Sequence, residues 1–459
     1  MLSVVAMTVA LLSANEGLPA ARALSSDRPN IVLVLTDDQR FDSLKVMPEV
    51  QQLAQQGMTL RRAIVSDPLC CPSRSTILTG RYAHTTGVYS NSGVNGGWPS
   101  FQAWESSTIA VALDDVGYRT ALIGKYLNLY VGDDLYVPPG WDRWSAFDEP
   151  DGAYFDYRMF DDAAGVVDYG SRPRDYSTDV IRRLSANFVN TTPSDTPLFL
   201  LAATFAPHGP SVAAPRHAGT FASTPVSLGP AVNEANMADK PSYLSERPQV
   251  DPKLIRARTR KQWETLLAVD QLVGRLVDVL TDAQRIDDTI FIFTSDNGFL
   301  NQEHRWRGKD VPYEESIRVP MVIAYPREIP PASVTNALAS NVDLAPTIAD
   351  FAGVAFPADG VSLRPLLSDR ASSARDAIVL EHAVRTAPAY CGVRTPGFMF
   401  ARYATGEEEL YDLAADPHQI DNVAASRPNK TMELRSLTQT LCAPVPPGFS
   451  WEPVRPGAA

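Results

Sequence analysis

The side chains that could do chemistry fall into a few short stretches. Asp37-Asp38 follows the apolar run Ile31 to Leu35, and Asp296-Asn297 follows Thr289 to Thr294. These four offer oxygen ligands and no sulfur or imidazole, which suits a hard cation, Ca2+ or Mg2+. Either pair alone has an ordinary explanation as a helix cap or a turn. Two such pairs, each closing a buried-looking run, are harder to dismiss. Unpaired acids on a low-dielectric rim cost free energy unless something cationic joins them. Arg74, Lys125 and Lys309 supply positive charge, and His208 follows the apolar run Leu198 to Thr204. Singly, each reads as a solvated charge or a structural histidine. With a divalent cation they would make an anion-attracting pocket for a sulfate or phosphate ester.

What could bring them together is a repeated pattern, an apolar strand followed by polar residues at its carboxyl end. It occurs at Thr36-Asp37-Asp38, Gly124-Lys125-Tyr126, Phe205-Ala206-Pro207-His208 and Ser295-Asp296-Asn297-Gly298. Open α/β sheets bind ligands at that edge. Between the third and fourth strands, Trp263, Leu266, Leu267, Val269, Leu272, Val273, Leu276, Val277 and Leu280 recur at helical spacing and read as core. The Pro-rich connection from Gly209 to Asp251 is expected to cover the site and shape substrate choice. Composition shifts near Ser368 to Arg375. Beyond it, "FMFARYA" and "EELYDL" predict a small antiparallel sheet with a closing helix. The predicted fold is α/β: a large mixed, mostly parallel sheet flanked by helices, with a smaller C-terminal antiparallel-sheet subdomain. Residues 28–370 form the first unit, 371–447 the second and 448–459 a tail.

The 459 residues are 44% hydrophobic and 20% charged, enough for a sizeable core. A formal charge of −12 argues against nucleic acid or an anionic membrane surface as partner. No apolar run is long enough for an integral membrane segment. Leu2 to Ala14 is apolar and Ala21-Arg22-Ala23 is a small-residue cleavage pattern, so residues 1–23 read as a secretory signal peptide. The protein is then secreted or extracytoplasmic. Cys391 and Cys442 would be free to pair there, with two separate buried thiols as the alternative.

The stretch "PLCCPSRSTILTGRY", Pro68 to Tyr82, carries two of the four cysteines. It resembles the motif of type I sulfatases of the alkaline phosphatase superfamily, C-x-P-S-R followed by L-T-G. Only Cys70 has proline two residues on and arginine four residues on, leaving Cys71 at the motif's variable position as a packed neutral thiol. "PNIVLVLTDDQ", "TSDNG", "GKDVPYEESIRVP" and "ELYDLAADPHQIDNVA" resemble further segments of the family. "LCCPSR", "GKYLN", "VPPGW", "APHGP" and "QWETLLAVDQLV" are closest in look to N-acetylglucosamine-6-sulfatases and heparan endosulfatases.

The resemblance implies that a formylglycine-generating maturation enzyme oxidises Cys70 to Cα-formylglycine. It implies a metal, Ca2+ with Mg2+ as the alternative, on Asp37, Asp38, residue 70, Asp296 and Asn297. Residue 70, Arg74, Lys125, His208 and Lys309 would be catalytic, acting on a sulfated carbohydrate or small aryl sulfate. One feature departs from many sulfatases, which carry Lys-x-His where this chain has Lys125-Tyr126-Leu127. His84 and His304 are candidates for the missing group. The alternatives are an arylsulfatase, a phosphodiester or phosphonate monoester hydrolase of the same superfamily, or a non-catalytic glycan-binding protein should Cys70 stay unmodified. The long basic segment of endosulfatases is absent, which points to action on a small or terminal sugar.

Overall fold

The computed structural model describes residues 28–131, 136–148, 152–369, 375–383 and 385–452. The signal-peptide reading lies outside them. Eleven strands form one mixed sheet. In chain order they are β1 (Asn30–Asp37), β2 (Met58–Ile64), β3 (Arg119–Gly124), β4 (Arg143–Phe147), β5 (Tyr157–Asp161), β6 (Gly165–Tyr169), β7 (Leu198–Pro207), β8 (Thr289–Ser295), β9 (Arg318–Val319), β10 (Met321–Ala324) and β11 (Ser333–Ser340). Their spatial order is β9-β2-β10-β8-β1-β7-β3-β4-β5-β6, with β11 also beside β2. The central run β8-β1-β7-β3-β4 is parallel throughout.

Both faces of that centre are covered, which is why its strands read as unbroken apolar runs. Ile31, Leu33 and Leu35 of β1 enter one core; Val32 and Val34 enter the other. The first core lies under helices α2 (Cys70–Thr79) and α5 (Leu344–Ala352). The second lies under α1 (Pro48–Gln55), α3 (Ser177–Thr191) and α4 (Pro252–Asp282).

Helix α4 begins well before its apolar stripe. Asp251 caps it by accepting from the Lys253 N–H at 2.8 Å, with Pro252 in the first turn. Of its predicted core residues, Leu267 and Val277 are only half-buried. Asp270 reaches across to α1, accepting from the N–H groups of Glu49 and Val50 at 3.1 and 3.0 Å. It thereby satisfies two amides that no turn of α1 can reach.

The connection from Gly209 to Asp251 holds one short helix, Ser242–Ser245. Its first part packs on α3 and α4, Arg216 with Asp179 and Phe221 with Trp263; its second part reaches residues 302–306 and the C-terminal sheet, Glu234 with His304, Tyr243 with Trp306 and Ser242 with Glu407.

The C-terminal sheet has four antiparallel strands, β12 (Ile378–His382), β13 (Tyr390–Arg394), β14 (Phe398–Tyr403) and β15 (Glu408–Asp412). The closing helix α6 (Pro428–Leu441) lays Leu434 against Val393, Phe400 and Leu410. Of the two cysteine alternatives, the disulfide is the one found: Cys391 on β13 joins Cys442 just past α6. No helix among the described residues is long and apolar enough to cross a membrane.

Two tests follow. Gly124 ends β3 at φ +116°, and a Cβ there would overlap the Ala203 carbonyl of β7. Gly124→Ala should cost more than about 2 kcal/mol in urea unfolding and displace Lys125. Burial, partly offset by the two α1 amides, raises the Asp270 carboxyl from 3.8 to about 6. Its folded pKa lies above its unfolded one, so the folded state binds this proton more tightly. The corresponding stability is lost as pH rises from 3.8 to about 6. Stability curves of Asp270→Asn should lack that part of the slope.

Candidate active site

Strand register gathers the polar tails. Thr36 of β1 pairs Ser295 of β8, Asp37 pairs Pro207 of β7, and Gly124 of β3 pairs Ala203 of β7. Between Leu35 and Asp37 the β1–β7 register slips, bending the strand end. Asp38 adopts a left-handed backbone at φ +66°. That conformation is costly for a non-glycine residue and persists only where its surroundings enforce it. Here the Asp38 N–H donates to Asp296 Oδ1 at 3.3 Å, and Asn297 Nδ2 donates to Asp38 Oδ1 at 2.6 Å.

Helix α2 places residue 70 against this edge. All ten of its residues are buried, so the helix runs through the interior rather than along the surface. No side chain at Leu69 caps it; the Cys71 N–H finds Asn91 Oδ1 at 2.9 Å instead. Gly80 ends the helix at φ +63°, its N–H on the Thr76 carbonyl. Cys70 is the first helical residue. Its Sγ donates to Asp37 Oδ1 at 3.3 Å and accepts from Lys309 Nζ at 2.7 Å. Cys71 points the other way, into the apolar core.

Around Cys70 lie three carboxylates and three cations. Lys125 Nζ donates to Asp37 Oδ2 at 2.5 Å, and Lys309 Nζ to Asp38 Oδ1 at 2.5 Å. Arg74 spreads its guanidinium over the group: Nε to Asp296 Oδ2 at 2.8 Å, Nη1 to the Lys125 carbonyl at 2.9 Å, Nη2 at 3.6 Å from Asp37 Oδ2. Burial alone would raise Asp37, but Lys125, His208, Lys309 and Arg74 together hold it well below the usual carboxylate range. Asp296 goes the other way, raised by burial and by Asp37. Burial depresses an ammonium, yet Asp37 holds Lys125 above its ordinary value, and Asp38 does the same for Lys309. Burial, then Asp37, push the Cys70 thiol up to about 12, so the unmodified thiol is a poor nucleophile at neutral pH.

Ligand atoms of Asp37, Asp38, Cys70 and His208 all lie within 4.8 Å of one another. His208 Nε2 is 3.6 Å from Asp38 Oδ2, with about a third of the side chain exposed. Asn297 Oδ1 is buried without a hydrogen-bond partner. An orphaned oxygen beside three buried carboxylates is a site that a hard cation would satisfy. So Asp37, Asp38, Cys70, Arg74, Lys125, His208, Lys309, Asp296 and Asn297 come together in one place. His84 and His304 do not join them by any described contact. His84 Nδ1 lies 3.0 Å from Glu381, and buried His304 lies 2.6 Å from Glu234, stacked on Tyr313.

Sequence reasoning overlooked the supports. Arg40 reaches Glu303 at 2.9 Å and the Phe299 carbonyl at 2.8 Å, tying the loop after β1 to the loop after β8. Asn341 Nδ2 donates to Ser73 Oγ at 3.0 Å inside α2. The only signal in the chain for either was a polar residue near an apolar run.

The cluster is electrically neutral as it stands, so removing one carboxylate leaves a buried uncompensated cation. Asp37→Ala should lower folding stability by about 3–5 kcal/mol, read from denaturant midpoints, besides abolishing turnover.

Comparison with known proteins agrees with this geometry. The family model described as Sulfatase matches residues 29–354, and the one described as N-sulphoglucosamine sulphohydrolase, C-terminal, matches residues 302–443. The chain is 35% identical over 362 residues to the extracellular sulfatase SULF-1 homolog of Drosophila melanogaster, covering 76% of this chain and 32% of that protein. It thus spans about a third of that relative's length. It is 28% identical over 499 residues to an N-acetylglucosamine-6-O-sulfatase of Bacteroides thetaiotaomicron, covering 90% of this chain and 86% of the relative. A solved structure in complex with its substrate, D-glucosamine-2-N,6-O-disulfate, superposes with a TM-score of 0.76 at 27% identity, covering 90% of this chain and 97% of the other. With the family model spanning most of its length and a buried Cys-x-Pro-Ser-Arg helix facing the carboxylates of two strand ends, the chain belongs to the sulfatase family of sulfuric ester hydrolases.

Proposed function

We propose that the protein removes the 6-O-sulfate of an N-acetylglucosamine-like sugar. Residue 70 acts after conversion to formylglycine, with Ca2+ held by Asp37, Asp38, residue 70, Asp296 and Asn297. One observation carries the reading: Cys70 stands at the head of a buried helix, in contact with both Asp37 and Lys309. The substrate class is supported by the Bacteroides relative's name and by the disulfated glucosamine in the superposed complex. When present, a formylglycine supplies an oxygen nucleophile that can be regenerated, and a divalent cation lowers that oxygen's pKa and polarises the sulfate.

The chain's own residues do the rest. Lys125 and Lys309, engaged with Asp37 and Asp38, would neutralise sulfate oxygens at a site where those carboxylates would hold the cation. Three carboxylates against three cations of the chain, with a divalent ion added, would leave two positive charges for an incoming anion. Arg74, with no room to move, fixes the spacing between Asp296, Asp37 and the Lys125 backbone. The α2 amides add positive potential at residue 70. The His208 Nδ1 lies 2.8 Å from the Gly209 carbonyl, which can only accept, so Nδ1 carries a proton. That fixes the ring and leaves Nε2, 3.6 Å from Asp38 Oδ2, as the atom that would give the second proton of an imidazolium to the departing sugar oxygen.

We further place the catalytic unit at 28–370 and the C-terminal subdomain at 371–447. In the 448–459 tail, Phe449 and Trp451 pack with the disulfide. Export through residues 1–23 fits a disulfide and an extracellular relative.

Mass spectrometry of the peptide Ala63 to Arg74, from the native host, should show a mass deficit and a hydrazide-reactive aldehyde at residue 70. Intact cysteine there, in a host that matures other sulfatases, would turn the reading to a glycan-binding protein. Chelation of the matured protein should abolish release of sulfate from N-acetylglucosamine-6-sulfate, and Ca2+ should restore it. Faster turnover of a phosphodiester under the same conditions would favour the rival hydrolase.

A further inference from the structure

Three residues that the site does not use, Glu381, His382 and Arg385, send partners to three other pieces of chain. Glu381 takes His84 at 3.0 Å, a few residues past α2. His382 Nδ1 lies 2.9 Å from Asp67 Oδ1, on the approach to Cys70. Arg385 Nη1 donates to Asp310 Oδ2 at 2.8 Å, next to Lys309 in the chain. The Asp310 N–H in turn donates to the Pro68 carbonyl at 3.2 Å, and Lys309 Nζ sits 2.7 Å from the Cys70 sulfur. Arg385 is therefore linked to the reacting centre through a single residue on the lysine side.

Its exposure sets it apart. Glu381, His382 and Asp67 are fully buried, whereas the Arg385 side chain is 44% exposed over an Asp310 that is 4% exposed. An ordinary surface ion pair has both ends in water and contributes little. Here a buried carboxylate anchors the guanidinium by one N–H. Its Nε and Nη2 have no hydrogen-bond partner among the described residues, so the fork is held in place with donors to spare. A planar, pre-oriented fork suits a bidentate anion: sulfate, sulfamate or carboxylate.

We infer that Arg385, anchored by Asp310, forms a second anion subsite beside the sulfate pocket and selects substrates that carry another negative group near the cleaved sulfate. The inference rests on the proposed amino-sugar substrate. The second anion has two sources, an N-sulfate on the same ring or the carboxylate of a neighbouring uronic acid.

The test compares kcat/KM for three substrates: N-acetylglucosamine-6-sulfate, glucosamine-2-N,6-O-disulfate, and a disaccharide joining a uronate to N-acetylglucosamine-6-sulfate. The wild-type protein should favour at least one of the latter two by about tenfold or more over the first, mainly through KM. Arg385→Gln should bring that ratio to within about twofold of unity, and Arg385→Lys, which keeps charge without the fork, should hold an intermediate value. Which substrate loses its advantage names the source of the anion. A wild-type protein without preference, or a ratio unmoved by Arg385→Gln, overturns the subsite. A wild-type protein that cleaves an aryl sulfate but none of the three would defeat the amino-sugar reading alone. The subsite is then judged by inhibition of aryl sulfate turnover: tighter inhibition by the disulfate, lost in Arg385→Gln, supports it, and equal inhibition by disulfate and monosulfate overturns it.

Discussion

The arrangement depends on packing three carboxylates and three cations together in the protein interior. Asp37, Asp38 and Asp296 face Arg74, Lys125 and Lys309, and none of the six is more than 9% exposed along its side chain. Burying any of these charges singly would cost several kcal/mol, on the order of what a whole domain has to spare. Each is tolerable only because the others are there. That mutual requirement fits the way five stretches of chain, at 37–38, 74, 125, 296 and 309, end in contact with one another.

The surrounding fold meets that requirement by giving up local comfort. Asp38 sits in a left-handed backbone, β3 must end in glycine against the Ala203 carbonyl, and α2 is buried on every side. With no solvent face, this helix pairs some of its polar side chains inside and leaves the Ser75 and Thr76 hydroxyls buried without a hydrogen-bond partner. Thr79 returns its hydroxyl to the Ser75 carbonyl at 2.7 Å, and Ser73 takes the Asn341 amide. In exchange, residue 70 is held at the helix head with little freedom, and a site whose charges must not relax needs that rigidity.

How much of this could be read from the sequence follows from distance along the chain. The strand tails were legible because each side chain sits beside its own apolar run, and the parallel register then does the gathering. The position of Cys70 was legible from its motif. The small sheet was seen at β14 and β15 but not at β12 and β13, whose runs "IVLEH" and "YCGVR" carry charge or glycine that only pairing explains. Glu381, His382 and Arg385 stayed hidden for the same reason: their partners His84, Asp67 and Asp310 lie 75 to 315 residues away. For the Gly209–Asp251 connection, a composition rich in proline says that the segment is irregular and nothing about the surface it packs against.

The missing histidine of the Lys-x-His pattern has a physical reason. In this chain the stretch after Lys125 turns inward. The Tyr126 hydroxyl donates to Glu105 at 3.2 Å, a buried carboxylate that also takes the Trp98 indole at 2.7 Å and the Tyr136 hydroxyl at 2.6 Å. Leu127, at the histidine's position, is part of the apolar core. An imidazole there would be set among hydrocarbon, where burial disfavours its charged form and removes it from proton traffic near neutral pH. His208 meets the opposite conditions. It follows β7 directly, is held by a backbone carbonyl, keeps a third of its side chain in water and faces Asp38 across 3.6 Å. A proton donor to a leaving alcohol must exchange with solvent and yet hold its direction. Of the histidines at positions 84, 208 and 304, only the one at 208 combines these properties with a place at the carboxylate cluster. The segment after Lys125 thus serves the core, and the histidine beside the carboxylate cluster comes from the end of β7 instead.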